Sequence, residues 1–402
     1  MFISRRKISY SYKLLFACFG ILAVLLARIG ERMPPLPAAT NYQESPYRLF
    51  NYINEYQTGP AVSAKAAILV DRTTGTILYA KAEHQRRAPA STTKIITAIV
   101  ALERLSLEQK VEVSARASRV GGSSVYLRPG EVFTVEELLA GALLKSGNDA
   151  TVALAEAAAG SVEEFAELMN QRAQNLGAQN SSFVNPHGLT APNHYSTAFD
   201  LALFANYALG IPTFQEFVKK REGEMGALGG EWVRKLKNTN RLLWAFPGAD
   251  GVKTGTTSRA GPCLVASATR GGRQLICVVL NSHRRWQDAV ALLEYGFNDF
   301  KLVKLAKKGE PSGTAELADG RRVPLLAGGD LAVVVRADEV GKLQKSYDLK
   351  ALEAPLAKHQ HAGWLLAELE GVELGRTSLL VQEKVPRQFR FWKKIFPASR
   401  KK

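Results

Sequence analysis

Apolar residues change their spacing several times along this chain, and each change marks an element. Ile95, Ile96, Ile99, Val100, Leu102 and Leu105 occupy nearly every side of a helical wheel, which predicts a helix buried all round. Residues 135–144 form a second, Ala/Leu-rich helical stretch, and Gly147 behind it marks a loop. Thr197 and Asp200 ahead of Leu201-Ala202-Leu203-Phe204 read as the N-terminal cap of a further helix. Strand patterns flank these helices. Residues 66–70 and 76–80 pair around Thr74-Gly75, and residues 260–269 and 273–280 pair around Gly271-Gly272, each as an antiparallel hairpin. Helices dominate to about residue 210, and a helix over 287–295 closes this part. The expectation is an α/β sandwich, an antiparallel sheet covered by helices. From residue 301 to 384 short apolar runs such as Leu331-Ala332-Val333-Val334-Val335 and Leu379-Leu380-Val381 alternate with glycine and polar turns, predicting a small all-β domain.

Composition adds compartment and charge. A chain of 402 residues that is 46% apolar is large enough for two or three cored domains. Its formal net charge of +16 points to nucleic acid only until it is located. Residues 1–32 carry six basic and one acidic group and residues 385–402 carry seven basic and none acidic, leaving +4 for the 352 residues between. That distribution speaks against nucleic acid and for membrane-directed ends. Arg5, Arg6, Lys7 and Lys13 precede an uncharged run over 14–27, so residues 1–30 read as a secretory signal peptide or an uncleaved signal anchor. Leu15-Phe16-Ala17-Cys18 has almost no apolar residues before it, which argues against lipidation. Pro34, Pro35 and Pro37 make residues 31–61 a linker. At the other end Phe389, Trp392, Ile395 and Phe396 share one helical face with Arg390 and Lys394 opposite, the composition of a basic amphipathic anchor over 385–402 attracted to anionic lipid.

Candidate chemistry lies in three short motifs in fixed order. In Ser91-Thr92-Thr93-Lys94, positions i and i+3 share a helix face, so the lysine amine can reach the serine hydroxyl and act as its base once burial lowers its pKa. The pattern is cheap by itself: Ser4 to Lys7 and Ser399 to Lys402 also match, and a serine there is ordinarily a helix cap. Ser146-Gly147-Asn148 places a hydroxyl and an amide in a loop, which alone reads as a helix-ending turn. Lys253-Thr254-Gly255-Thr256 sets a cation and hydroxyls on a strand edge where Gly255 permits close backbone approach, or else is plain surface strand. His187 and His194 read as loop-bracing rather than catalytic, and His359-Gln360-His361 as an exposed loop. No His-Glu-x-x-His occurs, so neither metal nor cofactor is expected. If Gly271-Gly272 is a two-residue turn, Cys277 faces Ala266 and Cys263 faces Leu280, which puts the thiols on opposite sheet faces as two free cysteines.

Together the three motifs, with Phe183-Val184-Asn185-Pro186-His187-Gly188-Leu189, Lys237-Asn238-Thr239-Asn240, Asp250-Gly251-Val252 and Ala260-Gly261, resemble the low-molecular-mass penicillin-binding, serine-type D-alanyl-D-alanine carboxypeptidases. The resemblance covers roughly residues 62–384. It implies a β-lactamase/transpeptidase-like catalytic domain over 62–300 and a C-terminal β domain over 301–384. It further implies that Ser91 forms an acyl-enzyme with peptidoglycan stem peptides and with β-lactams, that Lys94 is the general base, and that Ser146 relays a proton to departing D-alanine. By the same resemblance the Ser91 and Thr256 N–H groups form the oxyanion hole, Asn148 holds the substrate amide, and Lys253, Thr254, Gly255, Thr256 and Arg285 surround its carboxylate. Location outside the cytoplasmic membrane, peripherally anchored, follows as well. Endopeptidase action on cross-links, a β-lactamase and an inactive peptidoglycan-binding scaffold are the competing readings. Ser-Gly-Asn in place of Ser-Asp-Asn, and no Glu-x-x-Leu-Asn between 181 and 189, weigh against the β-lactamase.

Overall fold

A computed structural model describes residues 51–52 and 59–387 of the chain. The signal segment 1–30 and all of the amphipathic anchor beyond residue 387 lie outside the described residues. The central sheet runs in the order Asn51–Tyr52, Thr76–Lys81, Ala66–Asp71, Arg273–Leu280, Gly261–Arg270, Ala249–Thr257. Asn51–Tyr52 pairs parallel with Thr76 and Ile77, so part of the segment expected to be linker joins the sheet. The remaining neighbours are antiparallel.

Both faces of this sheet are covered, and its strands read accordingly as continuous apolar runs. Every residue of Arg273–Leu280 and of Ala66–Asp71 is buried. One face, with Ile68, Val70, Val265, Ile276 and Val278, packs against the helices Lys94–Arg104, Asn148–Ala159 and Ala198–Ala208. The other, with Leu69, Leu264, Leu275 and Val279, packs against Leu292 and Leu293 of Arg285–Asn298. Strand alternation assigns Cys263 to the first face and Cys277 to the second. Both thiols are free and buried, and Cys277 lies opposite Ala266 as the turn arithmetic requires. That turn uses positive φ at both Gly271 (56°) and Gly272 (75°), matching the right-handed twist of the strands it joins.

The helices begin where the sequence places caps. Thr134 and Glu137 form a reciprocal capping box, and Thr197 accepts from the Asp200 N–H. Two short antiparallel strand pairs were not legible: Lys110–Glu112 with Val132–Thr134, and Glu222–Gly226 with Val233–Lys237. In the second only Met225 and Leu236 are buried, so no apolar alternation betrays it.

Beyond residue 300 the chain is all β among the described residues, apart from a short 3-10 turn. Phe300–Ala306 pairs with Leu331–Arg336, and a five-stranded sheet runs Pro311–Glu316, Arg322–Ala327, Val372–Val381, His361–Leu369, Leu343–Leu349. Its own core holds Leu325, Val333, Leu365 and Leu379. His361 departs from the exposed-loop expectation: it opens a strand, its ring edge-on to Trp364 at 5.0 Å. Phe300 and Val334 instead join the core beneath Arg285–Asn298. There the buried Arg273 donates to Asp71 Oδ2 at 2.6 Å and to the carbonyls of Gly296 and Phe300 at 2.8 Å, tying the two regions together.

Candidate active site

Ser91 sits on a tight 3-10 turn, Ala90–Thr93, and Lys94 opens the α-helix that follows. The sequence suggested a single helix. The tighter turn has three residues per repeat and stacks residue i over i+3, which brings Lys94 Nζ to 3.1 Å from Ser91 Oγ. Lys94 is only 1% exposed. Its amine also reaches Asn148 Oδ1 at 2.6 Å and the His187 carbonyl at 2.9 Å. Burial, followed by the nearby Lys253 cation, holds its pKa well below that of an ordinary lysine, and Asp149 acts in the opposite direction.

The second wall is the bend between the helices Val135–Leu143 and Asn148–Ala159. Ser146 stands there in the left-handed region at φ 68°, buried, with Asn148 two residues on. Asn148 Nδ2 donates to the Gly121 carbonyl at 2.6 Å, which turns the amide oxygen toward Lys94.

The third wall is the edge strand Ala249–Thr257. Gly255 passes so near the nucleophile turn that a Cβ would lie 2.9 Å from Ser91 N and 3.0 Å from Ala90 Cβ, which is why glycine stands there. Lys253 is 1% exposed, and burial with the neighbouring Arg285 lowers its pKa to about 7. Thr254 Oγ1 is 2.7 Å from Thr239 Oγ1, and Thr256 is exposed. Arg285 Nη1 donates to Thr256 Oγ1 at 2.8 Å and to the Gly255 carbonyl at 3.0 Å, while its guanidinium lies over Trp286. Lys94 thus meets Ser91 and Asn148 directly, Gly255 lies against the Ser91 turn, and Arg285 holds Thr256.

The histidines brace. His187 Nδ1 accepts from the Leu189 N–H, and His194 Nδ1 accepts from Val184 N while its Nε2 lies 3.0 Å from Thr93 Oγ1. Burial lowers their pKa values to about 3 and about 4, so both are neutral at pH 7. No cluster of three or more metal-ligating side chains occurs among the described residues. The sequence reading placed Thr239 in a motif of the resemblance without giving it a role, and it missed Asp149 with the segment it holds; the only local signal for the latter was a carboxylate directly after Asn148.

Two families match this architecture in tandem: D-alanyl-D-alanine carboxypeptidase over residues 54–284, and the penicillin-binding protein 5 C-terminal domain over residues 300–387. The chain belongs to the D-alanyl-D-alanine carboxypeptidase family. Among its relatives is the D-alanyl-D-alanine carboxypeptidase DacF of Bacillus subtilis, 35% identical over 80% of this chain and 86% of that protein. The D-alanyl-D-alanine carboxypeptidase DacC of Escherichia coli is 36% identical over 81% and 85%. The structure of penicillin-binding protein 5 from Haemophilus influenzae superposes with a TM-score of 0.72 at 32% identity, covering 82% of this carboxypeptidase-family chain and 99% of the other. The Streptomyces K15 DD-transpeptidase, at 38% identity and TM-score 0.57, covers 60% of this chain and 99% of its own.

Proposed function

We propose that this serine-type D-alanyl-D-alanine carboxypeptidase removes the terminal D-alanine from peptidoglycan pentapeptide stems through an ester on Ser91. The observation that carries the reading is the setting of Lys94 Nζ among one hydroxyl and two carbonyl-type oxygens. A neutral amine has two N–H bonds and one lone pair. With the N–H bonds given to Asn148 Oδ1 and His187 O, the lone pair faces Ser91 Oγ and takes its proton as Oγ attacks the peptide carbonyl carbon. The oxyanion forms against the N–H groups of Ser91 and Thr256. As the intermediate collapses the C–N bond breaks, and Ser146 passes the proton to the departing D-alanine nitrogen. Water then cleaves the ester. Lys253, Thr254, Thr256 and Arg285 receive the terminal carboxylate, and the second N–H of Asn148 Nδ2 remains for the substrate amide. β-Lactams acylate the same serine.

The same reading divides the chain into a catalytic domain over 62–300 and a supporting β domain over 301–384, with residues 385–402 anchoring the protein to the outer face of the cytoplasmic membrane. Among the described residues no helix is long and apolar enough to cross a membrane. Removing residues 385–402 from a protein already lacking residues 1–38 should abolish binding to anionic liposomes, and undiminished binding would refute the anchor.

The deciding experiment is D-alanine release from a pentapeptide muropeptide by the full chain beside its Ser91→Ala variant. Release by the first alone supports the proposal. Release by both removes Ser91 from the mechanism, and cleavage of cross-linked dimers without release from monomers moves the assignment to endopeptidase.

A further inference from the structure

Asp149 belongs to none of the three motifs, yet it is 1% exposed and saturated with donors from a segment far from its own helix. Its carboxylate accepts from Ser124 Oγ at 2.5 Å, from Val125 N at 3.0 Å and from Leu127 N at 3.1 Å, as well as from Ala150 N at 3.0 Å. The first three donors lie in residues 121–127, which have no helix or strand of their own and include φ 84° at Gly122 and φ 61° at Tyr126. Backbone N–H groups in such a segment need a partner, and a carboxylate in the first turn of a helix is a strong one. The same segment supplies the two carbonyls that grip Asn148: Ser123 O accepts its backbone N–H at 2.7 Å and Gly121 O accepts its Nδ2 at 2.6 Å.

An asparagine amide is nearly symmetric in shape, and only its partners decide which end is oxygen and which is nitrogen. Here the Gly121 carbonyl makes that decision, and Asp149 holds the Gly121 segment in place. We propose that Asp149 is a positioning residue for the reaction: by fixing residues 121–127 it fixes the Asn148 amide with its oxygen toward Lys94, and so aims the Lys94 lone pair at Ser91. Released from this hold, the amide is free to rotate its N–H groups toward the amine and compete for the electron pair that the nucleophile requires. Asp149 touches no reacting atom: its hold on the geometry passes through Asn148, while its charge also opposes the lowering of the Lys94 pKa.

This inference rests on the assignment of Ser91 and Lys94 above, and the test separates the two. D-Alanine release and acylation by a chromogenic penicillin are measured for the full chain, Asp149→Asn, Asn148→Ala and the double variant, with Ser91→Ala as reference. The expectation for Asp149→Asn is a loss in kcat of about 100-fold, the order expected when a catalytic group is misplaced by about an ångström, with KM changed much less. Because the effect runs through Asn148, the double variant should be no slower than the slower single variant. Gly122→Ala gives an independent probe on an exposed segment: its Cβ would lie 2.7 Å from Asn148 Nδ2, pushing the amide while leaving Asp149 intact. It should reproduce the kcat loss even if Asp149→Asn does not fold. A folded Asp149→Asn protein with wild-type kcat, losses that multiply in the double variant, or an unaffected Gly122→Ala enzyme each overturns the proposal. An active Ser91→Ala protein overturns the underlying assignment instead.

Discussion

Two sets of basic side chains are buried at or against the central sheet and are built on opposite principles. Arg273, on an interior strand, is 6% exposed and meets the fully buried Asp71 at 2.6 Å, with two backbone carbonyls taking further N–H groups. Lys94 and Lys253, at the cleft, are as deeply buried, yet neither forms a salt bridge among the described residues. The first arrangement pairs the cation with a carboxylate and serves stability. The second makes the charged state expensive and lowers both lysine pKa values, that of Lys253 to about 7. The difference teaches that deeply buried cations are set apart by whether a carboxylate partner is buried with them.

The comparison can be broken most severely at the cleft. Lys94→Met should lower kcat for D-alanine release by about 1,000-fold or more, the scale of a lost general base, while the melting temperature rises because a desolvated amine has been replaced by an apolar chain. A melting temperature that falls would show that Lys94 is stabilising and would erase the contrast.

Arg273→Ala should do the reverse. Removing one partner of a buried pair costs about 3–5 kcal/mol, and at about 2–4 °C per kcal/mol the melting temperature should drop visibly. Turnover per folded molecule should stay at the wild-type level, since the arginine lies at the junction with the β domain. Loss of kcat in the folded fraction would mean that the clamp also shapes the cleft.

Protonation of Lys253 sharpens the contrast further. Its folded pKa is about 7 against 10.5 for an ordinary lysine, so between those values the unfolded chain binds more protons than the folded one. Stability should therefore rise with pH from about 7 toward 10.5, and this slope should shrink in Lys253→Met. On the proposed role of Lys253 the charged form receives the substrate carboxylate, so kcat/KM should fall as pH climbs past about 7. The corresponding limb in kcat should lie higher, because a bound carboxylate stabilises the ammonium. A pH profile identical in Lys253→Met would detach that limb from this residue.

The smallest effect concerns the two sheet faces. Cys263 and Cys277 are buried without a bridge, and burial pushes both thiols up, so the native protein should resist alkylation at either until it unfolds. A linked Cys263–Cys277 peptide in a mass spectrum would contradict the register.

Much of this was written locally. Alternating and continuous apolar runs record which face a residue presents, so the hairpins at 66–81 and 261–280, the opposed thiols and the buried helix after Lys94 were all readable from spacing. The Gly271-Gly272 turn was readable because its φ values exclude most other residues. The Ser91 and Lys94 pair was readable because three positions on a tight helical turn bring side chains together wherever the turn sits. What only the tertiary structure decided involves atoms far apart in sequence. Lys94 meets Asn148 across 54 positions, and Arg273 meets Asp71 across 202. Local propensity has no means of encoding those distances; packing sets them. The depressed lysine pKa values, the clamp at Arg273 and the hold of Asp149 on residues 121–127 all depend on such contacts, because desolvation and hydrogen-bond direction are properties of an assembled interior and not of a stretch of chain.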